Sequence, residues 1–225
     1  ISEFRSRFQS QSKEIIVPFD MELDDENVKF TIPKQGEKKK LLELSQKNVQ
    51  FFRKDKIDQY EKLNPDFRTE RLLTQMQKDL RLNVLPQHIE CFDNSNFQGS
   101  YPVSAMVCFK DGIPSKEDYR KFNVKTVQGI NDFATMTEVV YRRYKRLVDE
   151  QKTLPQLVII DGGKGQLSAA MESIKKLNLG GQLTLVGLAK NEEEIFFTGD
   201  TQSIKLPWDS DSLKLIRMIR DEVHR

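Results

Sequence analysis

The chain has 225 residues, 37% hydrophobic and 31% charged, with a formal net charge of +2. That balance excludes an unfolded polymer and leaves room for one large domain or a core with a smaller companion. Apolar runs fall well short of the roughly 20 residues a membrane span needs, and near-neutrality requires any nucleic-acid contact to come from a local basic patch.

The start, Ile1-Ser2-Glu3-Phe4, carries no initiator Met and no secretory signal, as expected of a cytoplasmic fragment of something longer. Glu14-Ile15-Ile16-Val17 reads as a strand, and Val28 to Ile32 alternates apolar and polar until Pro33 ends it. From Lys38 to about Leu63 the spacing predicts a helix, with Leu41, Leu42, Leu44, Val49, Phe52 and Ile57 on one broad face. The run Lys38-Lys39-Lys40 fits a solvated helix start. Asn64-Pro65 breaks the pattern, and a second helix is expected from Thr69 to Leu82.

The character changes near Leu85-Pro86. Residues 1–85 therefore read as a small α+β segment, and 86–225 as the core. His88 to Asp93 is a strand that ends in an acid. Val103 to Phe109 is a second strand, Asp111-Gly112 a turn, and Tyr119 to Val124 a third strand. Asn131 to Val148 is helical. Leu157-Val158-Ile159-Ile160-Asp161 is a continuous apolar run ending in an acid, the pattern of a buried parallel strand. Gly162-Gly163 turns the chain into a helix from Gly165 to Leu177. Leu183 to Ala189 is another buried strand. A polar hairpin follows, Ile195 to Thr198 with Ser203 to Leu206, and a closing helix runs from Ser210 to His224.

That order gives an α/β fold: three antiparallel strands, then parallel crossovers, in a mixed sheet with helices on its faces. Right-handed crossovers place the strand of Asp161 beside the strand of Asp93, so both acids share one sheet edge, where α/β sheets bind ligands. Either aspartate alone is explained by a turn or a cap. As a pair they form a cradle for a divalent cation, which relieves their mutual repulsion. His224 at the end of the last helix suits the helix dipole, and it is also placed to ligate a metal or handle a proton. Asp132, at a helix start, is explained by capping, and Glu138 is a further carboxylate on that helix.

The glycines of Gly162-Gly163-Lys164-Gly165 permit close backbone approach, and Lys164 at a helix N-terminus is placed for a DNA phosphate, although the spacing is not that of a Walker loop. Arg142-Arg143-Tyr144-Lys145-Arg146 is either a solvated face or a backbone-tracking patch. Trp208 is expected to pack in the hairpin-to-helix join, with base stacking as its other use. Cys91 and Cys108 lie in apolar strands without metal-site spacing and are expected to be buried hydrophobes.

Several blocks occur in a telling order: Glu90-Cys91-Phe92-Asp93, Gln98-Gly99, Tyr119-Arg120-Lys121-Phe122-Asn123, Asn131-Asp132-Phe133 with Met136, Arg142-Arg143-Tyr144, Ile159-Ile160-Asp161-Gly162-Gly163-Lys164-Gly165-Gln166-Leu167, Gly187-Leu188-Ala189-Lys190, and Arg220-Asp221-Glu222-Val223-His224-Arg225. Over residues 88–225 they resemble the C-terminal nuclease region of the UvrC family, and residues 1–85 look like the family's preceding segment. The resemblance implies an RNase H-like endonuclease that makes the 5′ incision in bacterial nucleotide excision repair. Asp93, Asp161 and His224 would hold Mg²⁺ or Mn²⁺, and Asp132 would join the catalytic set. Lys164, Arg142, Arg143, Lys145, Arg146 and Lys190 would meet DNA.

The implied partners are damaged double-stranded DNA, UvrB through regions outside this chain, and UvrA indirectly, with no membrane and a monomeric fragment. Many relatives read Ile-Ser-His-Thr where this chain has Asn94-Ser95-Asn96-Phe97, so no histidine ligand is expected there. The family continues into helix-hairpin-helix motifs past the position of Arg225, so the fragment is expected to bind DNA weakly. Another RNase H-like nuclease (a resolvase or hybrid cutter) and a non-catalytic docking module are the competing readings.

Overall fold

The computed structural model describes residues 1–21, 28–97, 101–125, 127, 131–189 and 193–225, with the side chains of these except 95–97 and 101–102. It divides into two compact units, Ile1–Pro65 and Asp66–Arg225.

In the first unit a short helix α1 (Ser2–Arg7) precedes two parallel strands, β1 (Glu14–Ile16) and β2 (Lys29–Thr31), and a long helix α2 (Glu37–Leu63). Lys38 at the start of α2 is pinned to Glu14, its Nζ 2.6 Å from Oε1, and Thr31 donates to the same oxygen. Those bonds hold the Glu14 carboxyl below its usual range. Of the face expected on α2, Leu42 alone is buried, while Leu41, Leu44, Val49 and Phe52 are exposed.

Helix α3 (Pro65–Asp79) starts at the boundary between the units, and its proline occupies a first-turn position where a missing N–H costs nothing. This helix belongs with the core: Leu73, Met76 and Leu80 pack in one cluster with Ile89 and Cys91. The division therefore falls just after Pro65, ahead of the change in composition near Leu85-Pro86.

Among the described residues the core sheet has seven strands. They are β3 (His88–Phe97), β4 (Tyr101–Lys110), β5 (Ile113–Pro114), β6 (Arg120–Asn123), β7 (Leu157–Ile160), β8 (Thr184–Ala189) and β9 (Glu194–Phe197). β5-β4-β3-β7-β8-β9 is the hydrogen-bonded order, with β6 also on β4. β3 is antiparallel to β4 and parallel to β7; β7 is parallel to β8, and β9 returns antiparallel. Among the described residues, the expected second arm of the last hairpin, Ser203 to Leu206, contributes the single bridge Ile195↔Ile204.

Helices α4 (Asp132–Asp149) and α5 (Lys164–Lys176) cover one face and α6 (Asp211–His224) the other, with α3. Strand alternation sorts the side chains between these layers. Ile89, Cys91, Leu157 and Ile159 face α6, whereas Phe92, Val158 and Ile160 face α4 and α5. Cys91 and Cys108 are buried free thiols, as expected. Burial, then the charges of Asp161 and Asp93, push the Cys91 thiol well above its usual range, so it stays neutral.

Candidate metal centre

The register Phe92↔Ile160 makes Asp93 and Asp161 neighbours, because each is the next residue along its strand. Asp161 N–H donates to the Phe92 carbonyl at 2.9 Å, and Ser104 Oγ–H donates to the Asp93 carbonyl at 2.9 Å. Alternation then decides where the acids point. Asp93 follows Ile89 and Cys91, and Asp161 follows Leu157 and Ile159, so both carboxylates share the α6 face. Burial differs between them: the Asp161 side chain is fully covered and that of Asp93 is 11% exposed.

α6 brings the third group. Ser210 caps its start by accepting from Leu213 N–H, and Leu215, Ile216, Ile219 and Val223 bury its inner stripe. At its end His224 Nδ1 lies 3.1 Å from Asp93 Oδ2 and Nε2 lies 2.9 Å from Asp161 Oδ2. One ligand atom from each of the three residues falls within a 4.8 Å cluster. The imidazole is 39% exposed, so the cluster opens to solvent on its side.

Two contacts fix the last turn of α6 from opposite flanks. Tyr119 Oη–H donates to Glu222 Oε1 at 3.0 Å, and Glu222 also pairs with Arg225. The Arg225 hydrogen bond, aided by Tyr119, lowers the Glu222 carboxyl to about 2. On the other flank Arg220 NH1 lies 2.6 Å from Glu193 Oε1. Glu193 and Tyr119 escape a reading of the sequence, because neither stands near its partner along the chain.

Glycine makes room behind Asp161. A Cβ on Gly187 of β8 would stand 3.0 Å from the Gly162 carbonyl oxygen, and one on Gly162 would overlap Gln166. The Asp161-Gly162 turn therefore lies tight against β8.

The other expected site residues take different places. Asp132 opens α4 in the opposite helix layer and is not among the ligand atoms of the cluster; its carbonyl accepts from Asn94 Nδ2–H at 3.0 Å. Glu138 pairs with Arg142 at 2.9 Å and accepts from Lys125 N–H, which ties it to its own helix layer. Lys164, at the first turn of α5, donates to the Thr201 carbonyl at 2.9 Å and lies 5.0 Å from the Phe196 ring centroid.

The basic cluster divides. Arg143 turns inward and is buried with its guanidinium on Glu90, to which Tyr144 also donates at 2.9 Å. That removes Arg143 from the surface expected to meet DNA: its charge is committed inside the core. Burial of Glu90 opposes ionisation, but the nearby His88, 3.3 Å away, and the hydrogen bonds from Arg143 outweigh it and lower its carboxyl below the usual range. Lys145 and Arg146 are exposed, each paired with an acid one turn on, Asp149 and Glu150. Arg142 reaches the Asn123 carbonyl at 2.9 Å. Lys190, Gln98 and Gly99 lie outside the described residues.

A second cluster of potential ligands, His88, Glu90 and Cys108, is accounted for by the Glu90–Arg143 pair. A broad groove lined by Phe133, Tyr141 and Glu172 runs between α4 and α5, on the layer away from the three-residue cluster.

The sheet order and its helix layers define an RNase H-like α/β domain with an Asp-Asp-His cluster where β7 ends beside the middle of β3. Residues 77–225 match the family model described as the UvrC RNAse H endonuclease domain, and residues 1–56 match one described as the UvrC Ribonuclease H-like domain. The chain belongs to the UvrC RNase H endonuclease domain family.

It is 57% identical to the UvrABC system protein C of Flavobacterium johnsoniae, over 100% of this chain and 38% of the relative. Identity is 53% to that of Porphyromonas gingivalis W83, over 100% of this chain and 38% of the relative. The chain thus spans well under half the length of these relatives. Among solved structures, a Ciona intestinalis endonuclease V in complex with DNA aligns with a TM-score of 0.35 at 18% identity, over 46% of each chain. Human ENDOV aligns at 0.32 and 14%, over 55% of this chain and 58% of that one.

Proposed function

We propose that the chain is the nuclease module of a divalent-metal-dependent DNA endonuclease that makes the 5′ incision in bacterial nucleotide excision repair. The observation that carries the reading is the convergence of Asp93, Asp161 and His224 within 4.8 Å. Two carboxylates and one imidazole are a donor set suited to Mg²⁺ or Mn²⁺: hard oxygens, few of them, with room left for solvent and substrate. When bound, the cation supplies a nucleophilic water and neutralises charge on the scissile phosphate.

This chain's residues do the rest. Asp161, held by its backbone bond to Phe92 and fully covered, is the fixed ligand. Asp93 is held through Ser104. His224, the most exposed of the three, stands where a ring nitrogen can exchange a proton with solvent or a departing oxygen. Asp132 acts through its carbonyl by fixing Asn94, the residue after Asp93. Lys164 meets a DNA phosphate at the start of α5, and Arg142, Lys145 and Arg146 lend weaker, already-paired charge.

The substrate is damaged double-stranded DNA. UvrB, and UvrA indirectly, are partners of the longer protein, working in the cytoplasm. Calorimetric titration with Mn²⁺ tests the site. The chain should bind Mn²⁺, and Asp161→Ala should weaken binding by more than roughly tenfold. Equal binding by both would remove the assignment.

A further inference from the structure

Trp208 is the chain's one tryptophan, placed between β9 and α6. A large indole at such a join is expected to pack, yet Trp208 is 72% exposed. It is nevertheless held in place. The guanidinium carbon of Arg217 sits 3.3 Å from the ring centroid, stacked against one face. Arg217 NH1 donates to the Trp208 carbonyl at 3.4 Å. Arg217 is in turn anchored by Glu193, whose Oε1 lies 3.5 Å from Arg217 Nε and 2.6 Å from Arg220 NH1. Both partners are largely covered, the Arg217 side chain 18% exposed and that of Glu193 13%. A half-buried ion pair thus props up an aromatic ring that stays largely in water.

The residue that braces the ring lies on the same helix as a member of the metal centre. Arg217, Arg220 and His224 follow at intervals of three and four along α6, so they share one stripe. At about 1.5 Å per residue, Arg217 stands roughly 10 Å along the axis from His224. That is close to the rise of about three stacked nucleotides at roughly 3.4 Å each.

We propose that Trp208 is a stacking platform for an unpaired nucleobase of the DNA strand, set about three nucleotides from the phosphate at the Asp-Asp-His cluster. The distance rests on the nuclease reading above; the platform itself does not. A base within a duplex is covered on both faces, so the open indole selects bases that are unpaired. Stacking is tolerant of sequence because every base offers a π-face. Arg217 prepays the ordering of the ring, since its plane is already set before DNA arrives.

A lone tryptophan makes the test direct, because all indole emission comes from Trp208. The 225-residue chain is titrated in EDTA with single-stranded oligothymidylate, with an equal-length abasic strand and with an equal-length duplex. Binding is followed by anisotropy of labelled DNA and stacking by tryptophan emission. Oligothymidylate is expected to quench the emission saturably, with little change from the abasic strand or duplex. Trp208→Ala should weaken oligothymidylate binding by roughly five- to a hundredfold while leaving the abasic strand unaffected, and Trp208→Phe should retain most of it.

Equal quenching by the abasic strand, unchanged affinity of Trp208→Ala, or absence of binding to any probe would overturn the proposal. Mn²⁺-dependent nicking of plasmid DNA separates the two readings. Quenching without nicking fails the nuclease reading alone, and nicking without quenching fails the platform alone.

Discussion

The backbone N–H of Asp161 donates to the carbonyl of Phe92 at 2.9 Å, and through that bond the end of β7 is clamped to the strand that carries Asp93. The two acids face one way because each follows a register pair, Phe92↔Ile160, on the same alternation. Their juxtaposition is a property of backbone register, so substitutions that disturb the register should damage the site without touching a ligand.

Gly187→Ala is such a substitution. Its Cβ would stand 3.0 Å from the Gly162 carbonyl and 3.3 Å from Leu167 Cβ, inside a closely packed layer. Overpacking of this kind costs about 1–3 kcal/mol. Thermal unfolding should show a lower midpoint, and Mn²⁺ affinity should fall more than it does for an equally destabilising change in α2. Unaltered Mn²⁺ affinity would show that the Asp161 turn does not depend on β8.

Arg143→Ala should act on stability rather than on DNA. It leaves the Glu90 carboxylate buried without its main partner, a loss of about 3–5 kcal/mol in comparable cases. Denaturant unfolding should register that loss, while the folded fraction keeps its DNA affinity. Replacing both residues, as Glu90→Gln with Arg143→Met, should recover much of the stability. A selective loss of DNA binding in folded Arg143→Ala would return the residue to the surface role its neighbours suggest.

The same pair sets a pH dependence. Glu90 has a carboxyl lowered from its ordinary value of 4.5 in the folded chain, so its contribution is complete above that value and lost as pH falls below it toward the folded value. Acid unfolding of the wild type should therefore include a steep component below about pH 4.5, where an unfolded glutamate is protonated first. Glu90→Gln should flatten that component. An unchanged acid limb would mean that Glu90 contributes little to it.

Lys164→Ala should behave in the opposite way to Arg143→Ala. Its side chain is exposed and among the described residues meets the Thr201 carbonyl and the Phe196 face, so stability should change by less than about 0.5 kcal/mol. DNA affinity should fall for all sequences alike, with the slope of log affinity against log salt reduced by about one. An unchanged salt slope would take Lys164 out of the DNA path.

Much of this arrangement is legible in the sequence, for identifiable reasons. The run Leu157 to Asp161 is continuously apolar and ends in an acid because β7 is buried on both faces and opens at its carboxyl end. Handedness then places it beside β3. His224 is legible as the end of an amphipathic helix. What stays hidden is non-local pairing. Arg143 looks like its exposed neighbours until Glu90, far away along the chain, is seen to lie beneath it. Asp132 carries an acid of the right kind, but α4 starts in the other helix layer. Trp208 reads as a packing residue because nothing near it in sequence announces the Arg217–Glu193 pair that holds it out in water.

On the proposed function, Asp93, Asp161 and His224 form one metal-dependent cutting site. Mn²⁺-dependent nicking of supercoiled plasmid tests it most directly, comparing the wild type with Asp93→Ala, Asp161→Ala and His224→Ala, each confirmed folded by circular dichroism. Nicking by the wild type that falls to background in all three variants is the predicted result. Equal nicking by all four, or none by a wild type that has bound Mn²⁺ and DNA, would contradict it.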